Sequence, residues 1–342
     1  MAETILSIAV PAYNSEHFLG KCLYSMAGAD ARLEVIVVDY GSTDGTGVLV
    51  QEYVRRFPRQ VSLISKDNGG HGSGINTAVE IATGRYFKVV DADDWIRTDQ
   101  LPCLLDALER TCADAVITGY HTINEATGKV MAYPCTCRYA GQKIDLKTLL
   151  EVYDNISFCC SFHGILYRTQ FYRECGFRLS EGIFYEDHEY ATLPFAHLNS
   201  ILILPLFFYQ YRIGTSGQSV AFHNQVKRID QIEHVIIRIL DYREQHAPLR
   251  SDRDEYFLRK LSVVVVSYFA IALVKDPDRA TGRAKAQRFR ELLDQYEPQL
   301  NQLVKKKYKT LVLFHRIHFP AKLYQRVLNT AFYKMIRQIW TS

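Results

Sequence analysis

Three acidic side chains stand within four residues of the sequence, at Asp91, Asp93 and Asp94. They follow Tyr86 to Val90, a run dominated by aromatic and β-branched residues that predicts a buried strand. Carboxylates this close repel one another, and a hard divalent cation with oxygen ligands relieves the repulsion. The sequence therefore predicts a metal site at the carboxyl end of this strand, which is where open α/β sheets bind their ligands.

Two further polar segments are predicted to reach the same edge of the sheet. Asp39 follows the apolar run 34–38, and a glycine-rich segment from Asn68 to Gly74 follows the run 61–65. Asp39 fits either an acceptor of hydrogen bonds from a ribose or base, or an ordinary turn acid. The glycine-rich segment fits either a phosphate cradle at a helix N-terminus or a surface turn.

The elements that must position these residues alternate between strand and helix over the first 120 residues. Successive βαβ units predict an α/β fold in which helices cover a mostly parallel sheet. Helical periodicity returns near the C-terminus. The predicted strands are 6–10, 34–38, 61–65 and 86–90, and the predicted C-terminal helices are 225–245, 254–274 and 281–296.

Composition describes an ordinary globular chain. Of 342 residues, 48% are hydrophobic and 23% are charged, which is enough apolar material for a core. The longest apolar run, 262–274, is shorter than the ~18 residues of a membrane span and predicts a buried helix. The eight cysteines lack zinc-site spacing, and residues 1–4 do not resemble a signal peptide. We therefore expect reduced thiols and a cytoplasmic location.

The basic residues are concentrated at the C-terminus. Residues 301–342 hold nine Lys or Arg, no Asp or Glu, and seven aromatic residues. Such a segment fits the surface of an anionic membrane, to which the protein would bind peripherally. It equally fits a terminal helical pair that packs on the protein or on a second copy in a homo-oligomer. Nucleic-acid binding is not expected, because no recognised motif accompanies the charge.

Five short motifs occur in the first 94 residues: Pro11 to Asn14, Val37 to Asp44, Asn68 with Gly70 and Asn76, Gly84 to Tyr86, and Asp91 to Asp94. In their order and spacing they resemble family 2 glycosyltransferases. The resemblance is close over residues 5–120 and looser to about residue 220, through Glu186-Asp187 and Tyr211-Arg212. It implies the GT-A fold: a Rossmann-like nucleotide-binding domain with a mostly parallel central sheet, followed by a helical C-terminal region.

This resemblance also implies a division of the chain into domains. Residues 1–220 would form the catalytic domain, with a nucleotide-binding half at 1–120 and an acceptor-binding half at 121–220. Residues 221–342 would form a helical region that carries the basic tail.

The resemblance assigns roles residue by residue. Asp93 would hold Mn²⁺ or Mg²⁺ together with Asp91, and the metal would bridge the diphosphate. Asp187 would be the general base, with Glu186 beside it. The nucleotide would be bound by Pro11, Tyr13, Asn14, Asp39, Asn68, Gly70, His71, Asp91, Ala92 and Arg212.

Two positions depart from the family pattern. Tyr40 stands where a second Asp is usual, so Asp39 would act alone on the base or Tyr40 would stack or hydrogen-bond. Ile75 replaces a common Arg, and either His71 or Lys66 would then supply the missing donor.

The resemblance implies an inverting transferase that uses a nucleotide diphosphate sugar, most readily a UDP-sugar. The acceptor would be a hydroxyl of a glycan or lipid-linked glycan in capsule or exopolysaccharide synthesis, at the inner face of the membrane. A nucleotidyltransferase that makes nucleotide sugars is one alternative, although a glycine-rich loop does not follow the first strand. A non-catalytic glycan-binding relative is another, which intact Asp91, Asp93 and Asp187 disfavour.

Overall fold

The computed structural model describes residues 3–214 and 222–328. The chain divides into two compact units. The first comprises residues 1–218 with 246–256, and the second comprises residues 219–245 with 257–342. The predicted division near residue 220 does not include this return of residues 246–256 to the first unit.

A single mixed sheet is the centre of the first unit. Its strands lie in the order β3-β2-β1-β4-β9-β6-β10-β5, with β7 on β6 and β8 on β10. Most paired residues lie in parallel ladders, as predicted, because β3, β2, β1 and β4 run together and β6 pairs with β10. The strands are β1 (Leu6–Ala12), β2 (Leu33–Asp39), β3 (Val61–Ser65), β4 (Tyr86–Val89), β5 (Trp95–Ile96), β6 (Ala115–Asn124), β7 (Val130–Tyr133), β8 (Lys143–Ile144), β9 (Ile165–Arg168) and β10 (Ile201–Ile213).

Helices in the first unit cover this sheet and bring the connecting turns to one edge. All seven residues of β1 are buried, which explains its continuous apolar sequence. The glycine-rich segment was expected to be a loop, but α3 already begins at Gly70. The helices are α1 (Glu16–Tyr24), α2 (Thr46–Arg56), α3 (Gly70–Ile81), α4 (Leu101–Glu109), α5 (Leu146–Ile156), α6 (Thr169–Glu174) and α7 (Asp187–Tyr190).

The C-terminal region is helical, as predicted. Among the described residues, Ser251–Lys275 is long and apolar enough to cross a membrane by length and composition, and 67% of its apolar window is buried, as in a core helix. The predicted apolar run 262–274 lies within it. The helices are α8 (Phe222–Lys227), α9 (Ile229–Gln245), α10 (Ser251–Ala270, continued by a π-helical turn to Lys275), α11 (Arg279–Tyr296), α12 (Pro298–Arg316) and α13 (Ala321–Leu328).

Candidate active site

The three acids that follow β4 converge on one point. One carboxylate oxygen from each of Asp91, Asp93 and Asp94 can be chosen so that all lie within 4.8 Å of one another. Burial and the Asp91 carboxylate raise the pKa of Asp93 to about 6. Burial, Asp93 and Asp91 raise the pKa of Asp94 well above its usual value. This donor set of hard, mutually repelling oxygens fits Mg²⁺ or Mn²⁺.

These pKa shifts predict how metal binding depends on pH. The folded protein favours protonated Asp93, so without metal its stability falls as pH rises from the unfolded-state pKa of about 4 through 6. A cation binds only the carboxylate form, and below about pH 6 it must displace a proton from Asp93. We expect Mn²⁺ to raise the melting temperature more at about pH 7.5 than at about pH 5. An equal shift at both pH values, measured by differential scanning fluorimetry, would contradict this.

Asp94 has a different role from the turn or helix-cap acid that its position suggests. It is fully buried and accepts hydrogen bonds from the Tyr209 hydroxyl at 2.5 Å and the Arg212 N–H at 2.7 Å. The Tyr209 hydroxyl also accepts the Asp91 N–H at 3.2 Å. Asp94 therefore attaches the acidic turn 91–94 to β10. Its partner Tyr209 is 115 residues away, so no local pattern predicts this contact.

Arg212 lies beside the acidic turn, but its contacts differ from those of the predicted diphosphate clamp. Its Nε donates to the Asp93 carbonyl at 2.6 Å, and its guanidinium pairs with Glu125. The guanidinium carbon lies 5.0 Å from the centre of the Phe18 ring and 5.1 Å from that of Trp95. Binding of Arg212 to a diphosphate stays a prediction. Its contacts favour a role in holding the acidic turn, residues 91–94, in place.

His71 joins the acidic turn to the segment that holds the predicted base. Its Nε2 lies 2.9 Å from Asp91 Oδ1, and its Nδ1 lies 2.5 Å from Glu186 Oε1. Burial alone would lower the pKa of His71, but the two carboxylates outweigh it and hold that pKa well above its usual value. A carboxylate oxygen lies within hydrogen-bond distance of each ring nitrogen, and only the protonated ring can donate to both. Lys66, the other predicted donor, instead donates to Ser73 and Thr77 on α3.

The glycines at the start of α3 are explained by close backbone packing. A Cβ on Gly70, whose φ is +81°, would lie 2.9 Å from the Gly182 nitrogen, and a Cβ on Gly72 would lie 2.2 Å from the Ser180 carbonyl oxygen. The Gly182 N–H donates to the Gly69 carbonyl at 2.7 Å. These glycines therefore allow α3 to pack against residues 180–186, and phosphate binding by the segment stays a prediction.

This packing predicts the effect of Gly72→Ala. The added methyl group would overlap Ser180, so we expect the free energy of unfolding to fall by about 1–3 kcal/mol. Gly20→Ala is the matched control, because nothing lies within 4 Å of a Cβ there. That change in α1 should stabilise the protein by about 0.5–1 kcal/mol. Equal effects of both substitutions in urea unfolding would contradict the packing argument.

The predicted base, Asp187, is the first residue of α7, and its side chain is half-buried. Its charge acts on the nearby rings of His163 and Tyr211. The preceding Glu186 is buried and contacts His71, so the two neighbouring acids have different partners. Glu189 fixes the segment by accepting both the N–H and the hydroxyl of Ser180, at 2.8 and 2.6 Å.

Two tyrosines form the candidate nucleoside pocket. The Tyr13 and Tyr40 rings are stacked with centroids 5.5 Å apart, and Tyr13 is 42% exposed. A Cβ on Gly74 would lie 3.3 Å from Tyr40 Cδ1 and 3.0 Å from Pro11 Cβ, so the glycine leaves room for the Tyr40 ring and for Pro11. Of the two alternatives for Tyr40, stacking is the one that this geometry supports.

The remaining predicted nucleotide contacts lie at the same edge and shape its turns. Asn14 Oδ1 accepts the Thr43 N–H at 2.8 Å, and Asp39 Oδ1 accepts the Ser42 N–H at 2.9 Å. Asp39 is therefore in part the turn acid that the sequence also allowed. In a separate turn, Asn68 Oδ1 accepts the N–H of Gly70 at 3.0 Å. Ala92 is buried within the acidic turn.

Sequence reasoning missed Lys88, a fully buried cation in β4. Its Nζ donates to the carbonyls of Phe162, His163 and Ile165 at 2.7, 2.9 and 3.1 Å. Burial lowers its pKa to about 7, although Asp91 and Asp94 act in the opposite direction. The signal was a lone lysine inside an apolar strand, and its function is to hold the 162–165 segment against the sheet.

Comparison with known proteins agrees with this architecture. The family described as "Glycosyl transferase family 2" matches residues 7–176. Glycosyltransferase GlyA of Streptococcus pneumoniae is 28% identical over 220 residues, which cover 63% of this chain and 31% of that protein. The uncharacterized glycosyltransferase EpsJ of Bacillus subtilis is 26% identical over 210 residues, or 61% of each.

Solved structures show the same fold. Residues 1–349 of TarS from S. aureus superpose with a TM-score of 0.62 at 18% identity, over 91% of both chains. The same part of TarS in complex with UDP-GlcNAc gives a TM-score of 0.51. This chain spans less than two thirds of the length of the curated relatives described above, GlyA and EpsJ. With the motifs in register, the strand order and the acidic turn all in place, the chain belongs to glycosyltransferase family 2.

Proposed function

We propose that this chain is an inverting, metal-dependent glycosyltransferase. It moves a sugar from a nucleotide diphosphate sugar, a UDP-sugar, to a hydroxyl of a glycan or lipid-linked glycan. One observation carries the proposal: Asp91, Asp93 and Asp94 meet within 4.8 Å, and His71 connects Asp91 to the segment of the base.

We assign the parts of the donor to residues that lie side by side along the edge of the sheet. The exposed face of Tyr13, backed by Tyr40, is the stacking surface for the base, and Asp39 lies beside it. Asp91 would contact the ribose, and Asp93 with Asp91 would hold Mn²⁺ or Mg²⁺ at the diphosphate. When bound, the cation would stabilise the charge that develops on the leaving nucleoside diphosphate. The UDP-GlcNAc complex of TarS, which has this fold, supports a uridine donor.

Asp187 performs the proton transfer. As the acceptor oxygen attacks the anomeric carbon, its hydroxyl proton passes to the Asp187 carboxylate, and the bond from that carbon to the diphosphate breaks on the opposite face. Attack from the opposite face inverts the configuration at the anomeric carbon. Glu186 is held by His71 at 2.5 Å and fixes the backbone from which Asp187 projects.

A series of aromatic side chains extends from the general base, Asp187, toward the surface. The His163 ring stacks on Tyr211 at 4.2 Å and lies 5.2 Å from Tyr120. Tyr120 stacks on Tyr133 at 4.7 Å, and Tyr133 lies 5.4 Å from Phe158, which is 40% exposed. An exposed ring such as Phe158 suits the apolar face of a pyranose sugar, which supports a glycan acceptor.

The test is a screen of nucleotide sugars with Mn²⁺ in which release of the nucleoside diphosphate is measured. We expect release from one or a few UDP-sugars, and NMR should show a first-formed product with the anomeric configuration opposite to that of the donor. Release of pyrophosphate from a nucleoside triphosphate would instead indicate a nucleotidyltransferase. Tight nucleotide binding with retained configuration would overturn the inverting mechanism.

A further inference from the structure

The second unit has a surface on α12 and α13 that the transfer reaction does not use. Residues 298–328 contain seven Lys or Arg and no Asp or Glu. We propose that this surface, which we call the basic face, binds the headgroups of an anionic lipid bilayer and inserts apolar side chains between them. The proposal is independent of the chemistry of the first unit.

Helix α12 has two opposite faces. Leu300, Val304 and Leu311 are buried at spacings of four and seven residues, so they form the face that packs inside the second unit. On the other side, Lys306 and Lys309 alternate with apolar residues along an exposed face. The basic face is therefore a continuous feature of the helix surface.

Large apolar side chains lie exposed among these cations. On α12 and just after it, Leu303 is 55%, Leu313 53% and Ile317 58% exposed, and on α13 Leu323 is 44% exposed. Exposed apolar residues are common singly, but here they lie among lysines and arginines on adjoining turns. Apolar side chains mixed with Lys and Arg are the composition of helices that lie in a membrane interface.

Among the described residues, Lys306, Lys309 and Arg316 form no ion pair. The acid next to it in sequence, Glu297, is paired with Arg243. Lys306, Lys309 and Arg316 lie on a helix that contains no acid of its own. Their positive potential attracts an anionic leaflet, whereas a second copy of the chain would bring the same charge and be repelled.

The experiment is vesicle co-sedimentation of the full chain. Vesicles of phosphatidylcholine mixed with phosphatidylglycerol should bind the protein, vesicles of phosphatidylcholine alone should not, and added salt should weaken the binding. The variant K306E/K309E/R316E should bind at least ~10-fold more weakly, with an unchanged melting temperature because all three side chains are exposed.

A matched control reverses three exposed cations elsewhere, as K129E/K147E/R283E. It should bind the mixed vesicles like the unaltered protein. The variant L313S/I317S should retain salt-sensitive binding but with reduced affinity, because insertion is lost. Equal binding to both kinds of vesicle, full binding by K306E/K309E/R316E, or equal loss in the control would overturn the proposal. Release of the nucleoside diphosphate can be measured without vesicles, so failure here is distinguishable from failure of the proposed function.

Discussion

Replacing Asp93 with Asn is expected to lower the rate of sugar transfer by at least ~10³-fold, because several kcal/mol of stabilisation of the leaving group depends on the cation. The substitution keeps the size of the side chain but removes the negative charge that a hard cation requires. The melting temperature without metal should not fall, because the Asp93 carboxylate is repelled by Asp91 and is destabilised by burial.

The measurement is the initial rate of nucleoside diphosphate release at saturating Mn²⁺. Asp67→Asn is the matched control, because Asp67 is an exposed acid that follows β3. This control should retain the full rate. A rate for Asp93→Asn within about tenfold of the unaltered enzyme would show that the metal is held elsewhere, since loss of a residue that only hydrogen-bonds to a metal ligand has an effect of that size.

Replacing His71 with Gln should lower kcat by about 10–100-fold, the usual effect of a group that orients the residues in direct contact with the metal or substrate. A glutamine cannot donate to Asp91 and Glu186 from opposite sides as the protonated ring does. Loss of this contact leaves the Glu186 carboxylate, which is 4% exposed, without its cationic partner. The segment that carries Asp187 would therefore lose part of its support.

Three readouts separate positioning from a general loss of stability. The KM for the nucleotide sugar should change less than kcat if His71 chiefly positions the base. The effect on kcat of His71→Gln combined with Glu186→Gln should be much smaller than the sum of the two single effects, because both changes break the same contact. His17→Ala, at an exposed histidine of α1, should have no effect. Additive losses, or an unchanged kcat, would contradict the role of His71.

The sequence predicted the parts of this protein that depend on local patterns. The strand 61–65 was predicted with the bounds of β3, and the other early strands differ by one or two residues at their ends. The proximity of Asp91 and Asp93 was also predictable, because both follow the predicted strand 86–90 within three residues. Their place on the same sheet edge as Asp39 and Asn68 was predictable because parallel strands in βαβ units have their carboxyl ends on one side.

What could not be predicted depends on contacts between distant segments. His71 meets Glu186 across 115 residues, and Arg212 meets Asp94 across 118. The close packing of Gly72 against Ser180 joins segments more than 100 residues apart, so the glycine-rich pattern alone does not predict it. Each of these partners lies beyond the first 120 residues, where the alternation of strand and helix loosens and short-range patterns give no register.

The structure of the basic tail was predicted only in part. The sequence predicted a terminal helical pair or a membrane surface, and the structure shows helices α12 and α13 with an exposed basic face. Residues 329–342, with three of the seven aromatic residues, lie outside the described part of the chain.

The central claim, that the acidic turn binds a nucleoside diphosphate through a divalent cation, is tested most directly by calorimetric titration with UDP. In the presence of Mn²⁺ we expect clear binding by the unaltered protein. Binding should be at least ~10-fold weaker when the metal is removed by a chelator or when Asp93 is replaced by Asn. UDP binding of equal affinity with and without Mn²⁺, unaffected by Asp93→Asn, would contradict the account.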